Sequence, residues 1–81
     1  MQIRVKLFAI LRDRANTSDI VLDLEAPATV AGARDAVALQ LPELRELLPR
    51  VAFAVNQEYV KPDAPLHDGD ELALIPPVSG G

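Results

Sequence analysis

The last two residues, Gly80 and Gly81, are the residues whose types point most directly to chemistry. Glycine has no side chain, so such an end can enter a narrow channel and adopt backbone angles closed to other residues. No charged side chain occurs from Leu72 onward, which leaves the terminal carboxylate as the charge that would enter. That carboxylate can attack the α-phosphate of ATP, and a sulfur or amine nucleophile can then capture the acyl-adenylate. We predict a group-carrying C-terminus.

Length and composition restrict the other functions open to the chain. With 81 residues it forms one small domain that buries about 60–65% of its unfolded surface, which leaves little room for an enclosed catalytic cavity. The chain has no cysteine, so disulfides, thiolate metal sites and a cysteine nucleophile are excluded. With a single histidine, we predict no metal site and no bound cofactor. A carrier or a subunit fits better than an independent enzyme.

The charge balance and hydropathy bear on partners and location. The formal net charge is −4, whereas nucleic-acid binding needs a basic surface that displaces phosphate counterions. We therefore predict no nucleic-acid partner. No stretch approaches the length and hydrophobicity of a membrane span, and residues 1–6 contain no long apolar run. We expect a cytoplasmic protein with no membrane partner.

Hydrophobic periodicity predicts a hairpin at the start of the chain. Residues 2–10 alternate with the period of a strand, in which odd-numbered positions from Ile3 to Ala9 face the core. Phe8 would then lie outside the core. Residues 12–18 are predicted to be a polar connector, and residues 20–24 alternate again as the second strand.

The middle of the chain predicts the main helix. Thr29 is a good N-cap, and apolar residues follow at positions 30, 33, 37 and 41 on one helical face. Pro42 disfavours helical geometry in the residue before it and can open a new turn. Leucines at 44, 47 and 48 are expected to cover the core before Pro49 ends the segment.

The C-terminal half predicts three more strands. Residues 51–55 alternate, Tyr59–Val60 read as a very short edge strand, and Glu71–Ile75 form the last strand. Between the second and third of these, His67–Asp70 is predicted to be a tight turn in which Gly69 supplies a positive φ.

This order of elements predicts an α+β fold of the β-grasp type: a mixed sheet of four to five strands packed on one main helix. The helical crossover would let the first and last strands pair in parallel. We predict that residues 1–75 form this domain and that residues 76–81 form a flexible, extended C-terminal tail. Pro76 and Pro77 mark the boundary because proline cannot donate a hydrogen bond to a sheet.

Several short motifs resemble the small, sulfur-carrier subunit of molybdopterin synthase, a ubiquitin-like sulfur carrier. They are V-K-L-F-A at 5–9, A-V-N at 54–56, L-H-D-G-D-E-L-A at 66–73 and P-P-V-S-G-G at 76–81. The C-terminal motifs are the specific ones, whereas residues 12–50 are generic.

The resemblance implies a role for each tail residue. A ubiquitin-activating-type adenylyltransferase would use ATP to adenylate Gly81, and a sulfur donor (a sulfurtransferase) would convert it to a thiocarboxylate. Gly80 would be its channel-fitting neighbour. The threaded segment that enters the large synthase subunit would be Pro76, Pro77, Val78 and Ser79. There the tail would deliver sulfur to cyclic pyranopterin monophosphate, building the dithiolene that later holds molybdenum, in a heterotetrameric synthase. The chain alone would have no activity.

Three outward-facing apolar residues are candidates for binding that partner. Phe8, Tyr59 and Ile75 are expected to group near the exit of the tail as a docking patch. Scattered exposed apolar residues are common on monomers and are the simpler interpretation.

Two other classes of function stay open on the sequence. One is a carrier for another pathway, such as thiamine thiazole synthesis or tRNA thiolation, or a modifier conjugated to lysines of other proteins. The other is a non-catalytic interaction domain with an incidental diglycine, which would show no ATP-dependent change in mass.

Overall fold

The computed structural model describes residues 1–77. In this range the strands and helices follow in the order β1 (Gln2–Leu7), α1 (Ala9–Ala15), β2 (Asp19–Asp23), β3 (Ala28–Thr29), α2 (Val30–Gln40), β4 (Ala52–Val55), β5 (Glu58–Val60), β6 (Pro65–Leu66) and β7 (Glu71–Ile75). Two 3₁₀ turns, Pro42–Leu44 and Leu48–Arg50, connect α2 to β4.

The main sheet has five strands in the order β2-β1-β7-β4-β5. The pair β1–β7 is parallel, with Val5 opposite Leu72 and Leu7 opposite Leu74, and the other pairs are antiparallel. The predicted mixed sheet and the parallel pairing of the first and last strands are therefore confirmed. The long crossover through α2 makes this parallel pairing possible.

The core lies between one face of the sheet and α2. Alternate residues of β1 and β7 are fully or almost fully buried, as the period of two predicts: Ile3, Val5, Leu7, Leu72 and Leu74. From α2 the buried residues are Val30, Ala33 and Val37. Thr29 begins the helix as predicted, since its hydroxyl accepts a hydrogen bond from the backbone N–H of Gly32 at 3.2 Å.

The connection between the first two strands differs from the prediction. β1 ends at Leu7, and the expected polar connector is replaced largely by the short helix α1. Ala9, predicted to face the core as part of the strand, is exposed, whereas Leu11 is fully buried. The prediction was wrong because one buried leucine among charged residues gives too little periodicity to reveal a two-turn helix.

Two smaller features of the fold also differ from the prediction. Pro49 was expected to end the segment after α2, but it lies inside the second 3₁₀ turn, where its fixed φ is compatible with the first positions of a helix. A two-stranded sheet formed by β3 and β6 was not predicted, because strands of two residues have no measurable periodicity.

A hydrogen-bonded corner joins the turn before β7 to the β4–β5 turn. The carboxylate of Asp70 accepts the backbone N–H of His67 at 2.8 Å and the side-chain amide of Asn56 at 3.0 Å. The Asn56 side-chain oxygen in turn accepts the backbone N–H of Glu71 at 3.1 Å. Gly69 supplies the predicted positive φ, at 85°. This corner positions the start of β7.

The hydrogen bond from the His67 backbone holds the pKa of Asp70 below its ordinary value, and the Asn56 amide acts in the same direction against the opposing effect of burial. A depressed pKa in the folded state means that the ionised carboxylate stabilises the fold above the pKa of the unfolded chain. This contribution is lost as the pH falls through the folded-state pKa.

We expect Asp70→Asn to lower the free energy of unfolding by about 1–2 kcal/mol at neutral pH, because a charged acceptor of two hydrogen bonds is lost. The difference from the wild type should shrink as the pH falls below about 3.9, the ordinary pKa of aspartate. Urea unfolding at a series of pH values measures it. Asp63→Asn, at an exposed aspartate, is the control and should change stability little. A difference that is independent of pH would contradict this role of the carboxylate.

Candidate functional site

The predicted tail begins at the end of the central strand β7. This strand lies between β1 and β4; it is paired on both sides as far as Leu74, and its last residue, Ile75, is paired with Ala52 of β4. Pro76, half-buried, and Pro77, exposed, follow directly. The predicted tail residues Val78 and Ser79, and the predicted reactive pair Gly80 and Gly81, lie outside the described residues.

The face of the sheet opposite α2 carries small side chains at its centre. In register across four strands, Lys6 lies opposite Ala73, Ala73 opposite Ala54, and Ala54 opposite Tyr59. Ala54 is only 5% exposed although it belongs to this outer face. The centre of this face therefore carries two adjacent alanines, of which Ala54 is covered by its neighbours, with Tyr59 beside them.

The structure places the three predicted docking residues as follows. Tyr59 is 75% exposed at the β5 edge, and Phe8 is 43% exposed. Ile75 is half-buried and lies opposite Ala52 on the next row of the same face. Because Leu7 and Leu74 are opposite each other, Phe8 follows β1 at the level where Ile75 ends β7. Phe8 and Ile75 are thus at the tail exit, and Tyr59 is at the far edge of the face.

Phe8 lies in the turn between β1 and α1, and the local sequence did not predict this turn. It is extended, with φ −123° and ψ 156°, and it precedes α1 as an N-cap whose side chain makes no capping hydrogen bond. Ala9 then has a φ of 51°, which is costly for a residue with a Cβ atom. Strained backbone of this kind is frequent at functional sites. Here the strained residue directly follows Phe8, a predicted docking residue, at the point where β1 has ended.

The charged side chains of the outer face are paired with one another. Lys6 lies 3.6 Å from Asp19, and Arg4 lies 3.7 Å from Glu71, measured between nitrogen and carboxylate oxygen. Exposed pairs such as these are screened by solvent and contribute little to stability. Their effect here is to leave a face with little net charge around an apolar centre.

Three features are absent from the described part of the chain. Within residues 1–77 no polar or charged side chain is buried. No group of three or more histidine, cysteine, aspartate or glutamate side chains in this range could hold a metal ion. No helix among these residues is long and apolar enough to cross a membrane. The candidate site is therefore a surface that surrounds the start of the tail.

Comparison with known proteins identifies the family. The sequence model of the ThiS family matches residues 5–81. The chain belongs to the ThiS family. It is 37% identical over 81 residues to a protein of Arabidopsis thaliana named molybdopterin synthase sulfur carrier subunit, covering all of this chain and 84% of that protein. The resemblance seen in the short motifs is thereby confirmed.

Solved structures support the same conclusion for the fold. The crystal structure of SAMP1 from Haloferax volcanii has a TM-score of 0.89 and 32% identity, with both chains fully covered. A complex of subunits 1 and 2 of the molybdopterin-converting factor from Helicobacter pylori contains a chain with a TM-score of 0.71 and 27% identity, again fully covered. The predicted β-grasp fold of this ThiS-family chain is confirmed.

The exposure of Phe8 allows the docking patch to be tested without disturbing the core. If the chain docks a large synthase subunit through this patch, as the resemblance implies, Phe8→Asp should weaken that binding by at least about 2 kcal/mol, because it would place a charge in a desolvated interface. Folding should be retained, since aspartate is a favourable N-cap for α1. Calorimetric titration measures the affinity, and circular dichroism checks the fold. Unchanged affinity would show that Phe8 is outside the interface.

Proposed function

We propose that this protein is the sulfur-carrier subunit of a molybdopterin synthase. The observation that carries the proposal is the combination of a ThiS-family domain with the P-P-V-S-G-G ending directly after its central strand. Relatives that align over the whole chain are named for this function. The carrier acts in molybdenum cofactor biosynthesis and works in the cytoplasm, where ATP is available.

Activation takes place at Gly81 and needs no side chain of this protein. A ubiquitin-activating-type adenylyltransferase binds ATP, and an oxygen of the terminal carboxylate attacks its α-phosphate, so that pyrophosphate leaves. Hydrosulfide released by the sulfur donor then attacks the acyl carbon and gives up its proton, the acyl–oxygen bond breaks, and AMP leaves. The product is a C-terminal thiocarboxylate. No cofactor is bound by the carrier itself.

Sulfur delivery takes place inside the large subunit. From Pro76 to Gly81 the chain can extend about 20 Å, which is enough to cross a partner's wall while the folded domain stays outside. Phe8, Tyr59 and Ile75 dock the domain, and the segment Pro76, Pro77, Val78 and Ser79 threads the channel of the large subunit. Two deliveries of sulfur to cyclic pyranopterin monophosphate form the dithiolene. The large subunit supplies the groups that bind and activate the pterin.

A second candidate function is supported by the similarity to SAMP1, the small archaeal modifier protein 1 of Haloferax volcanii, seen in both sequence and structure. The same activated Gly81 can be captured by a lysine amine of another protein instead of by sulfur, giving an isopeptide bond. Covalent conjugates of the tagged chain that disappear when Gly81 is deleted would indicate this function. Its presence would not exclude the first.

Mass spectrometry tests the activation step directly. After incubation with ATP, the adenylyltransferase and the sulfur donor, the intact chain should gain about 16 Da, because –OH is replaced by –SH at the terminal carbonyl. Omission of ATP is the control and should abolish the gain. With a known carrier working in parallel, an unchanged mass would contradict the carrier function and favour a plain interaction domain.

Tail variants separate sulfur delivery from docking. We expect Gly80→Val to abolish pterin product, because a branched side chain obstructs the channel and restricts the backbone. Affinity for the large subunit should fall less than product formation does, since the docking patch still buries its apolar area. Product formation and affinity for the large subunit are measured side by side. Phe8→Asp is the comparison variant, because it should lose affinity although its tail is intact. Normal product from Gly80→Val would show that the small size of the tail end is not needed.

A further inference from the structure

A second apolar surface lies beside the start of the tail, apart from the outer face of the sheet. It is a groove of about 200 Å³. The residues that line it are Ile10, Glu46, Leu47, Arg50, Pro76 and Pro77. None of the three predicted docking residues is among them, so the groove is a separate feature of the surface.

The groove is on the helix side of the sheet. Leu47 lies between the two 3₁₀ turns, whose residues Leu44 and Leu48 are buried in the core. The first of these turns packs against both α1 and α2. The outer face that carries Tyr59 and the row of alanines is the opposite side of the sheet. Pro76 and Pro77, at the start of the tail, thus have the groove on one side and the outer face of the sheet on the other.

The groove has the chemistry of a site for a single apolar side chain. Ile10 is 41% exposed and Leu47 is half-buried, so both still present apolar area to a partner. Glu46 and Arg50 are exposed and place one charge of each sign at the groove. An apolar cavity of about 150 Å³ holds a benzene ring, so this volume suits one phenyl or branched aliphatic side chain.

The reach of the chain determines when the groove is covered. The four residues from Val78 to Gly81 span at most about 14 Å when extended. A large subunit that binds Gly81 in a buried site therefore has to bring its surface close to Pro77. Because Pro76 and Pro77 are themselves part of the groove lining, that surface meets the groove as well.

We infer that the groove is a second docking subsite for the large subunit that receives the tail. It takes one aliphatic or aromatic side chain of that subunit, flanked by a basic group facing Glu46 and an acidic group facing Arg50. Phe8 and Ile75 contact the large subunit on the other side of the sheet. The partner would then contact the chain on both sides of Pro76 and Pro77, which fixes the direction in which the tail leaves. The inference rests on the proposed function and names a further binding surface for it.

The test compares two exposed apolar residues that differ in position. Ile10→Asp should weaken calorimetric binding to the large subunit at least tenfold, because it places a charge in the groove. Leu39→Asp is the matched control: Leu39 is 81% exposed on α2, does not line the groove, and should bind within twofold of the wild type. Ile10→Ala, which adds no charge, should weaken binding at least threefold and decides the question if Ile10→Asp fails to fold.

The outcomes distinguish this inference from the proposed function. If the wild type binds and Phe8→Asp weakens binding, but the folded Ile10 variants bind like the wild type, the groove is not a docking subsite and the proposed function stands. Equal losses for Ile10→Asp and Leu39→Asp would also overturn the subsite, because the effect would then be independent of position. If the wild type itself does not bind the large subunit, the proposed function and the subsite fail together.

Discussion

The parallel pairing of β1 with β7 is the constraint on which the rest of this structure depends. Parallel neighbours need a long crossover, and here that crossover contains α2, which covers one face of the sheet. The pairing also puts the last strand in the middle of the sheet, between β1 and β4, so the chain leaves a central strand at Ile75. A tail that starts from a central strand has a defined origin, which is what aiming a reactive terminus at a distant site requires.

The two ends of β7 have different surroundings. At its start, the carboxylate of Asp70 and the amide of Asn56 close a hydrogen-bonded corner that fixes the strand. At its end, the neighbours are apolar and partly exposed, and the backbone of Ala9 adopts a strained φ to present Phe8. Hydrogen-bonded polar groups thus lie at one end of β7 and partly exposed apolar side chains at the other, where a partner could cover them.

The carrier function explains why such a small domain suffices. An acyl carrier needs a terminal carboxylate, a backbone thin enough to enter other active sites, and a surface by which those proteins recognise it. The outer face, with paired charges around a centre of small and apolar side chains, is a candidate for that surface. In the proposed function the catalytic groups would be supplied by the partners.

The five strands of the main sheet, the main helix with its Thr29 cap, the turn at Gly69 and the family motifs could be predicted from the sequence, because each depends on neighbouring residues or on a short period. The sheet of β3 and β6, the helix α1, the left-handed Ala9 and the groove in which Ile10, Leu47 and Pro77 meet could be seen only in the folded chain. These three residues are distant along the chain, and no local pattern encodes their proximity. It follows from packing α1 and the 3₁₀ turns beside a strand whose position is set by its parallel partner.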